Sequence, residues 1–471
     1  MRQTIAFGDW LPDAPPHVPT RIDLLNAYPA PTHWRPVGQF TAITDPLGDT
    51  FNGGVAYVAS DGTSALFAGS LTSLYRYSAG AWNSVISGLT VSARWQFTQF
   101  DDLVIAVNGG ATQYYDMITS ACGDLAGAPS GSSVATVRDF VVIGEADGDR
   151  LMVQWSGFND PNGWTPGTNE SGFQPMLSGG EVMGVTGGEY GLIIQRNAIK
   201  RMSYLGEEPW FQFDEIANNV GCVAKGSIAK AGDLVFFLSD RGFMVCDGAT
   251  VKPIGSERVD RTFFAKYPRS TLDQLYSAVD PNAYVVMWVM PGNPGFGWGY
   301  NWAIDKWFPV SIPMQGVFSG FTTNTSLDDL DALFPGGLDS IPYSLDDSRF
   351  AGGDPLLLFV DNAGQVGTLS GENMAAYFAT SFMELVPGRR ARLRRTRPIC
   401  DAVTGLSMTI DAKQRLGDRS GNRTVTNLRS SGDMPVRSNG RHTAFRIDCV
   451  AGGVWSYMQG FDVEFEAGTA R

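Results

Sequence analysis

The chain has 471 residues, 43% of them hydrophobic, with 56 glycines and 26 prolines. It is too long for one ordinary core and too apolar for a disordered chain, so a repeat array or two to three domains is expected. Net charge is −13, and no run of 18 apolar residues exists to span a membrane.

Residues 1–40 read as an extended arm. Met1-Arg2-Gln3-Thr4 lead into a proline-rich polar stretch rather than an apolar segment, so no signal peptide is expected. Pro12, Pro15, Pro16, Pro19, Pro29, Pro31 and Pro36 remove donors and fix φ, which argues against long helices and central strands. Such an arm is expected to lie across a surface rather than to form a core of its own.

From about 41 to 370 one unit recurs: a β-rich run, a Gly/Asp/Asn turn, a second β-rich run and an aromatic. Leu234-Val235-Phe236-Phe237-Leu238, the turn Ser239-Asp240-Arg241-Gly242 and Phe243-Met244-Val245-Cys246 show it most clearly. Leu356–Val360, Asp361-Asn362-Ala363-Gly364 and Gln365-Val366-Gly367 repeat it near the end. Repeats of this period with all-β content predict the blades of a β-propeller, each packed on its neighbours. Blades are expected near 51–88, 94–128, 133–167, 181–216, 226–258 and 274–312, with a shorter closing unit near 354–370. That is an all-β fold of about six blades over 41–384, followed by a β-rich platform domain over 385–471. Thr262–Tyr267 and Glu372–Tyr377 read as short helices between blades.

Two stretches interrupt this pattern. An acidic insertion near 324–354 carries Asp328, Asp329, Asp331, Asp339, Asp346, Asp347 and Asp354 against Arg349 alone. It reads as a solvated loop, a docking loop for a basic partner, or a Ca²⁺ site, though the ligand order of an EF-hand is missing. The second is Gly388-Arg389-Arg390-Ala391-Arg392-Leu393-Arg394-Arg395-Thr396-Arg397-Pro398. Strict alternation in a strand places Arg390, Arg392 and Arg394 on one face and Arg389, Arg395 and Arg397 on the other. A protein interface, a DNA contact and a solvated edge strand all fit; no aromatic interleaves the arginines, which disfavours single-stranded nucleic acid. From Glu384 to Arg471, 15 Lys+Arg face 9 Asp+Glu (+6), leaving 20 against 39 (−19) for the rest. Two regions of opposite sign suggest two jobs, or subunits docking head to flank.

Motifs of catalysis are missing. The three histidines, His17, His33 and His442, fall in no metal-binding or triad spacing, and no GxSxG, HExxH or P-loop occurs. The five cysteines are scattered without CxxC and read mostly as reduced, buried side chains. Gly295-Phe296-Gly297-Trp298-Gly299 reads as a turn, and Asp160–Pro166 as a turn around a buried Trp164. Ser60-Asp61-Gly62 lacks the register of a sialidase turn. No enzyme activity, cofactor or metal is expected.

Asn159-Asp160-Pro161…Trp164-Thr165-Pro166, Gly179–Val185, Gly191–Gln195…Ile199–Met202, Phe236–Phe243, Gly248…Pro253-Ile254-Gly255, Gly440-Arg441 and Trp455…Gly460–Glu464 resemble the tail nozzle proteins of short-tailed bacteriophages. These proteins are also called packaged-DNA stabilisation or tail tubular B-like proteins. The likeness covers roughly 150–260 and 388–471. It implies a structural, non-enzymatic virion protein, made and assembled in the host cytoplasm, forming a homohexameric ring below the head–tail adaptor. Such a ring retains the packaged double-stranded DNA, conducts it during ejection, and meets tail fibre or needle proteins below. The arm and the C-terminal domain would form its upper platform, with Arg389, Arg390, Arg392, Arg394, Arg395 and Arg397 docking the adaptor there. A second docking loop would be Asp328, Asp329, Asp331, Asp346 and Asp347. An acidic body suits a conduit, since it does not adhere to phosphates. The alternative is a carbohydrate-binding or carbohydrate-degrading tail propeller, which would show repeated exposed Trp/Asp clusters at one mouth.

Overall fold

The structure, a computed structural model, describes residues 1–15, 18, 21–78, 80–321, 355–419 and 421–468. Among these residues, seven four-stranded antiparallel sheets follow one another along the chain as propeller blades. Their innermost strands are Gly54–Val58, Gln96–Phe100, Ser133–Val137, Val182–Thr186, Ala229–Ala231, Tyr276–Asp280 and Gly316–Phe321, which define blades one to seven. The closing unit is therefore a full seventh blade, one more than the six expected. Gly316–Phe321 pairs with Pro355–Val360, then comes Val366–Thr368, and the arm supplies the fourth strand, Thr41–Ala42. Ile43 N–H donates to the Val366 carbonyl at 2.8 Å and Val366 N–H to Thr44 Oγ1 at 3.0 Å, so the two ends of the propeller are sewn into one sheet.

Both chain ends then build a two-sheet sandwich. One sheet runs Met434–Gly440, Ala391–Cys400, Met458–Ala467, Trp34–Pro36, Ala27–Pro29, with Arg2–Ala6 also paired to Met458–Ala467. The other runs Asp9–Trp10, Arg21–Leu25, Ala376–Thr380, His442–Cys449, Leu406–Lys413, Asn422–Asn427. Strict alternation buries Leu406, Met408, Ile410 and Ala412 on one side of their strand, the pattern of a half-buried antiparallel strand. Phe7 stacks on Phe378 at 5.0 Å and Phe445 meets Phe461 at 4.8 Å in the filling between the sheets. The prolines do not keep the arm out of the sheets: the proline-free Arg21–Leu25 is an interior strand, bonded on both edges. Residues 376–380 are likewise a strand and not the expected helix, because they pair with Arg21–Leu25 and His442–Cys449. Glycine-rich 295–299 is also no turn; Phe296–Asn301 is the third strand of blade six, its Gly299 leaving room for the Phe308 ring.

The sandwich is fixed to blade six. Trp10 packs on Trp298 at 5.4 Å and Tyr28 edge-on to Phe308 at 5.1 Å. Asn26, at φ 58°, accepts Ser311 N–H at 2.8 Å, donates its backbone N–H to Pro309 and gives its amide to Ala375. One continuous hydrophobic core runs from Phe461 of the sandwich through Trp298 to Phe236 of blade five.

The one α-helix among the described residues, Asp260–Lys266, has no side-chain cap of its own. Asp13 provides it from the arm: its carboxylate accepts Arg261 N–H at 2.7 Å, Thr262 N–H at 2.8 Å and Thr262 Oγ1 at 2.6 Å. Replacing Asp13 by alanine removes these acceptors from the first helical turn. The expected loss is about 1–2 kcal/mol, read from the midpoint of urea unfolding.

Beside it, the Asp260 carboxyl is packed against Gly242 and Gly255, where any Cβ would collide with it. It accepts Phe243 N–H at 3.1 Å, and its other oxygen is buried without a partner. Burial pushes its pKa up to about 6, from an ordinary value of 3.8. The folded state therefore holds this proton more tightly than the unfolded chain, so the group lowers stability as pH rises from about 4 to 6. Asp260→Asn is expected to flatten that part of the stability–pH curve. It should also gain about 1–2 kcal/mol at pH 7, with solvent access allowed for.

Candidate functional site: the propeller axis and the arginine strand

In a propeller the innermost strands present bare backbone edges to the axis, and here side chains close the seams between them. Gln99 Nε2 donates to the Val58 carbonyl at 2.8 Å, joining blades two and one. Thr136 Oγ1 donates to Gln99 O at 2.7 Å, joining three and two. At the axis, blades three and four are joined backbone to backbone: Gly188 N–H reaches Thr136 O at 2.9 Å and Arg138 N–H reaches Gly188 O at 2.8 Å. Only glycine permits this at 187, since a Cβ there would lie 1.9 Å from Thr136 O. Lys230 donates to Gly187 O, Ser277 Oγ to Ile228 O at 3.2 Å, and Ser319 Oγ to Val279 O at 3.0 Å, which completes the seams round to blade seven. Burial lowers the Lys230 pKa. The last seam is aromatic, with Phe51 stacked on Phe318 at 5.8 Å.

Two cations reach across the axis where the innermost strands begin. Arg94, ahead of blade two, donates to the carbonyls of Leu275 and Asp273, ahead of blade six, and lies 3.5 Å over the Tyr276 ring. Burial lowers its pKa. Lys225, ahead of blade five, binds Glu145 and Ser132 of blade three, the latter at 3.1 Å. Neither pair joins neighbouring blades, so both side chains reach into the axial opening. Above them lies a funnel of about 810 Å³, lined also by Arg150, Glu181, Arg196 and Asp273. No tryptophan lines it.

The arginine run lies in the sandwich, at Ala391–Cys400, an interior strand flanked on both edges. Strict alternation fails. Between Leu393 and Arg395 the register slips by one residue, a β-bulge at Arg394. Ala391, Leu393, Thr396 and Pro398 consequently point inward, while Arg392, Arg394, Arg395 and Arg397 are all exposed, so one face is cationic instead of two. The adjoining strand answers with carboxylates. Arg394 holds Glu466 with two contacts of 2.8 Å, Arg395 holds Glu464 at 3.0 and 3.1 Å, and Arg2 holds Asp462. Hydrogen bonding from Arg394 lowers the Glu466 pKa, and that from Arg2 lowers the Asp462 pKa. The Arg392 and Arg397 side chains are exposed and make no hydrogen bond among the described residues, though they lie opposite Glu466 and Asp462. Arg389 is exposed and Arg390 half-buried in the approach to the strand. The other expected docking residues, Asp328, Asp329, Asp331, Asp346 and Asp347, lie outside the described residues. Their flanks, Phe321 and Pro355, are paired at the opposite end of blade seven from Gln315.

Arg94, Glu145, Arg150, Glu181, Arg196 and Lys225 carried no signal in the sequence, being isolated charges in loops of different blades. Trp164 is buried in its turn as expected, with Nε1 donating to Pro161 O at 2.7 Å. All five cysteines are free; three are buried, Cys400 is half-buried and Cys122 is exposed.

Fold and site together define a seven-bladed propeller carrying a sandwich made from both chain ends. No protein-family model matches the sequence, and no curated protein does. Among solved structures it is similar to an extracellular domain from B. thetaiotaomicron, that of BT4673, at 10% identity and a TM-score of 0.42. That match covers 83% of this chain, which spans 47% of the other. The Neurospora crassa Pan2 WD40 domain matches at 9% identity and a TM-score of 0.40, over 73% of this chain and 98% of that one. U3-55K matches at 8% and 0.38, over 68% and 98%.

Proposed function

We propose that this chain is a structural subunit of a short bacteriophage tail, assembled with its own copies into a ring-shaped nozzle below a head–tail adaptor. The supporting observation is the sandwich: strands from both ends, the first Arg2–Ala6 and the last Met458–Ala467, form one body beside the propeller, with the cationic face of Ala391–Cys400 turned outward. A platform of this kind offers an adaptor a charged docking surface, and Trp10 packed on Trp298 attaches it to blade six. Arg94 and Lys225 reach into the axial opening, so the duplex would run between copies, along walls of an acidic body. A six-fold ring is built from head-to-tail contacts, which the opposite charges of platform and body favour. Tail fibre or needle proteins would then meet the ring below. The carbohydrate-binding alternative draws no aromatic platform from the funnel, whose lining has no tryptophan.

Antibody-gold electron microscopy of virions from the source phage or induced prophage tests this. Gold at the distal part of a short tail is the expected result. Unlabelled virions, with the protein free in the lysate, would overturn it.

A further inference from the structure

We propose that the funnel above Arg94 and Lys225 receives an acidic loop of a protein partner, seating a carboxylate on Arg150 and Arg196. This rests on the axis geometry and not on the ring reading. The funnel is a recess of about 810 Å³ at the propeller axis, within the size range of ligand-binding cavities.

Its charge runs against its surroundings. Outside the C-terminal region the chain carries 20 Lys+Arg against 39 Asp+Glu. Yet the funnel gathers Arg94, Arg150, Arg196 and Lys225 against Glu145, Glu181 and Asp273, four cations to three carboxylates. Arg94 and Lys225 are already engaged. Arg150 and Arg196 are not: they share the single carboxylate of Glu181, at 3.3 and 3.7 Å. Their side chains remain 76% and 43% exposed. Each guanidinium has five N–H donors, so a second carboxylate can be taken in bidentate geometry without displacing the first. Leu71, itself 55% exposed, and Val91 and Met183 give the stem of a loop apolar wall to rest on. The apolar wall suits a peptide loop over a polyphosphate chain, which has no apolar stem to rest there.

Fluorescence anisotropy of labelled hexaglutamate with the full chain tests the idea. Binding at low salt that weakens as ionic strength rises is expected. Arg150→Glu with Arg196→Glu should weaken it by about tenfold or more, and Arg196→Gln alone by less. Lys252→Glu, on the outer strand of blade five, should leave it unchanged. Circular dichroism confirms that each variant is folded. The proposal fails if hexaglutamate does not bind, or if the double variant binds it as well as the parent. It also fails if inorganic phosphate at matched charge displaces the peptide fully, since that marks a small-anion site.

Discussion

Trp288→Ala is expected to lower the stability of the chain by about 3–5 kcal/mol, the range for deleting a fully buried aromatic. Trp288 has no exposed surface and stands where blade five, blade six and the helix Asp260–Lys266 meet. Its ring lies 4.6 Å from Phe243 and 5.7 Å from Trp307, and Phe243 in turn meets Phe263 of the helix at 4.9 Å. Its Nε1 donates to Ser227 O at 2.9 Å, so truncation also strands a buried carbonyl. Because this cluster is continuous with the sandwich core, the lesion should reach the platform as well. Urea unfolding followed by circular dichroism would show a lower midpoint. Trp288→Phe, which keeps most of the volume and loses only the hydrogen bond and part of the ring, should fall well short of the alanine effect. Equal losses for the two would mean that the bond to Ser227, and not packing, dominates.

Charge reversal on the sandwich should separate docking from stability. The Arg392 and Arg397 side chains are exposed and make no hydrogen bond among the described residues; they lie opposite Glu466 and Asp462, so Arg392→Glu with Arg397→Glu should leave the subunit folded at a small cost in stability. On the proposed function the same variant should lose joining to adaptor-bearing particles by about tenfold or more, as like charges now face the partner. Arg394 and Arg395 behave differently, because each is already held by a carboxylate across the strand. Arg394→Glu with Arg395→Glu breaks both hydrogen-bonded ion pairs and turns carboxylates toward Glu466 and Glu464, so it should lower the unfolding midpoint of the isolated subunit further. Sedimentation of mixed particles measures the first effect and thermal unfolding the second. Normal assembly of the Arg392/Arg397 variant would remove these arginines from the docking surface.

Much of the fold was legible in the chain. Blade boundaries followed from turn-flanked apolar runs such as Leu234–Leu238 and Phe243–Cys246, since each strand pair is closed by a local turn whose residues are adjacent in sequence. The sandwich strand Leu406–Lys413 also announces its buried side by alternation. The seventh blade was harder to count, because its fourth strand, Thr41–Ala42, comes from more than 300 residues away. The arm misled for a related reason. Its prolines are conspicuous, while the short stretch between them that enters a sheet, Arg21–Leu25, finds both its partners elsewhere.

The sites divide along the same line. Composition alone placed the cations in the C-terminal region and the carboxylates in the body, since charge is a sum over residues and does not depend on contacts. Which face the arginines occupy depended on a one-residue slip at Arg394, set by neighbouring strands and invisible to a period of two. Likewise the funnel is made of single charges from loops dozens of residues apart, such as Lys225 and Glu145, brought together only when the ring of blades closes. Local order, strand periodicity and regional charge were thus determined by the sequence itself. Strand count, facing and the convergence of isolated charges belong to the tertiary structure, because each is fixed by contacts between residues far apart along the chain.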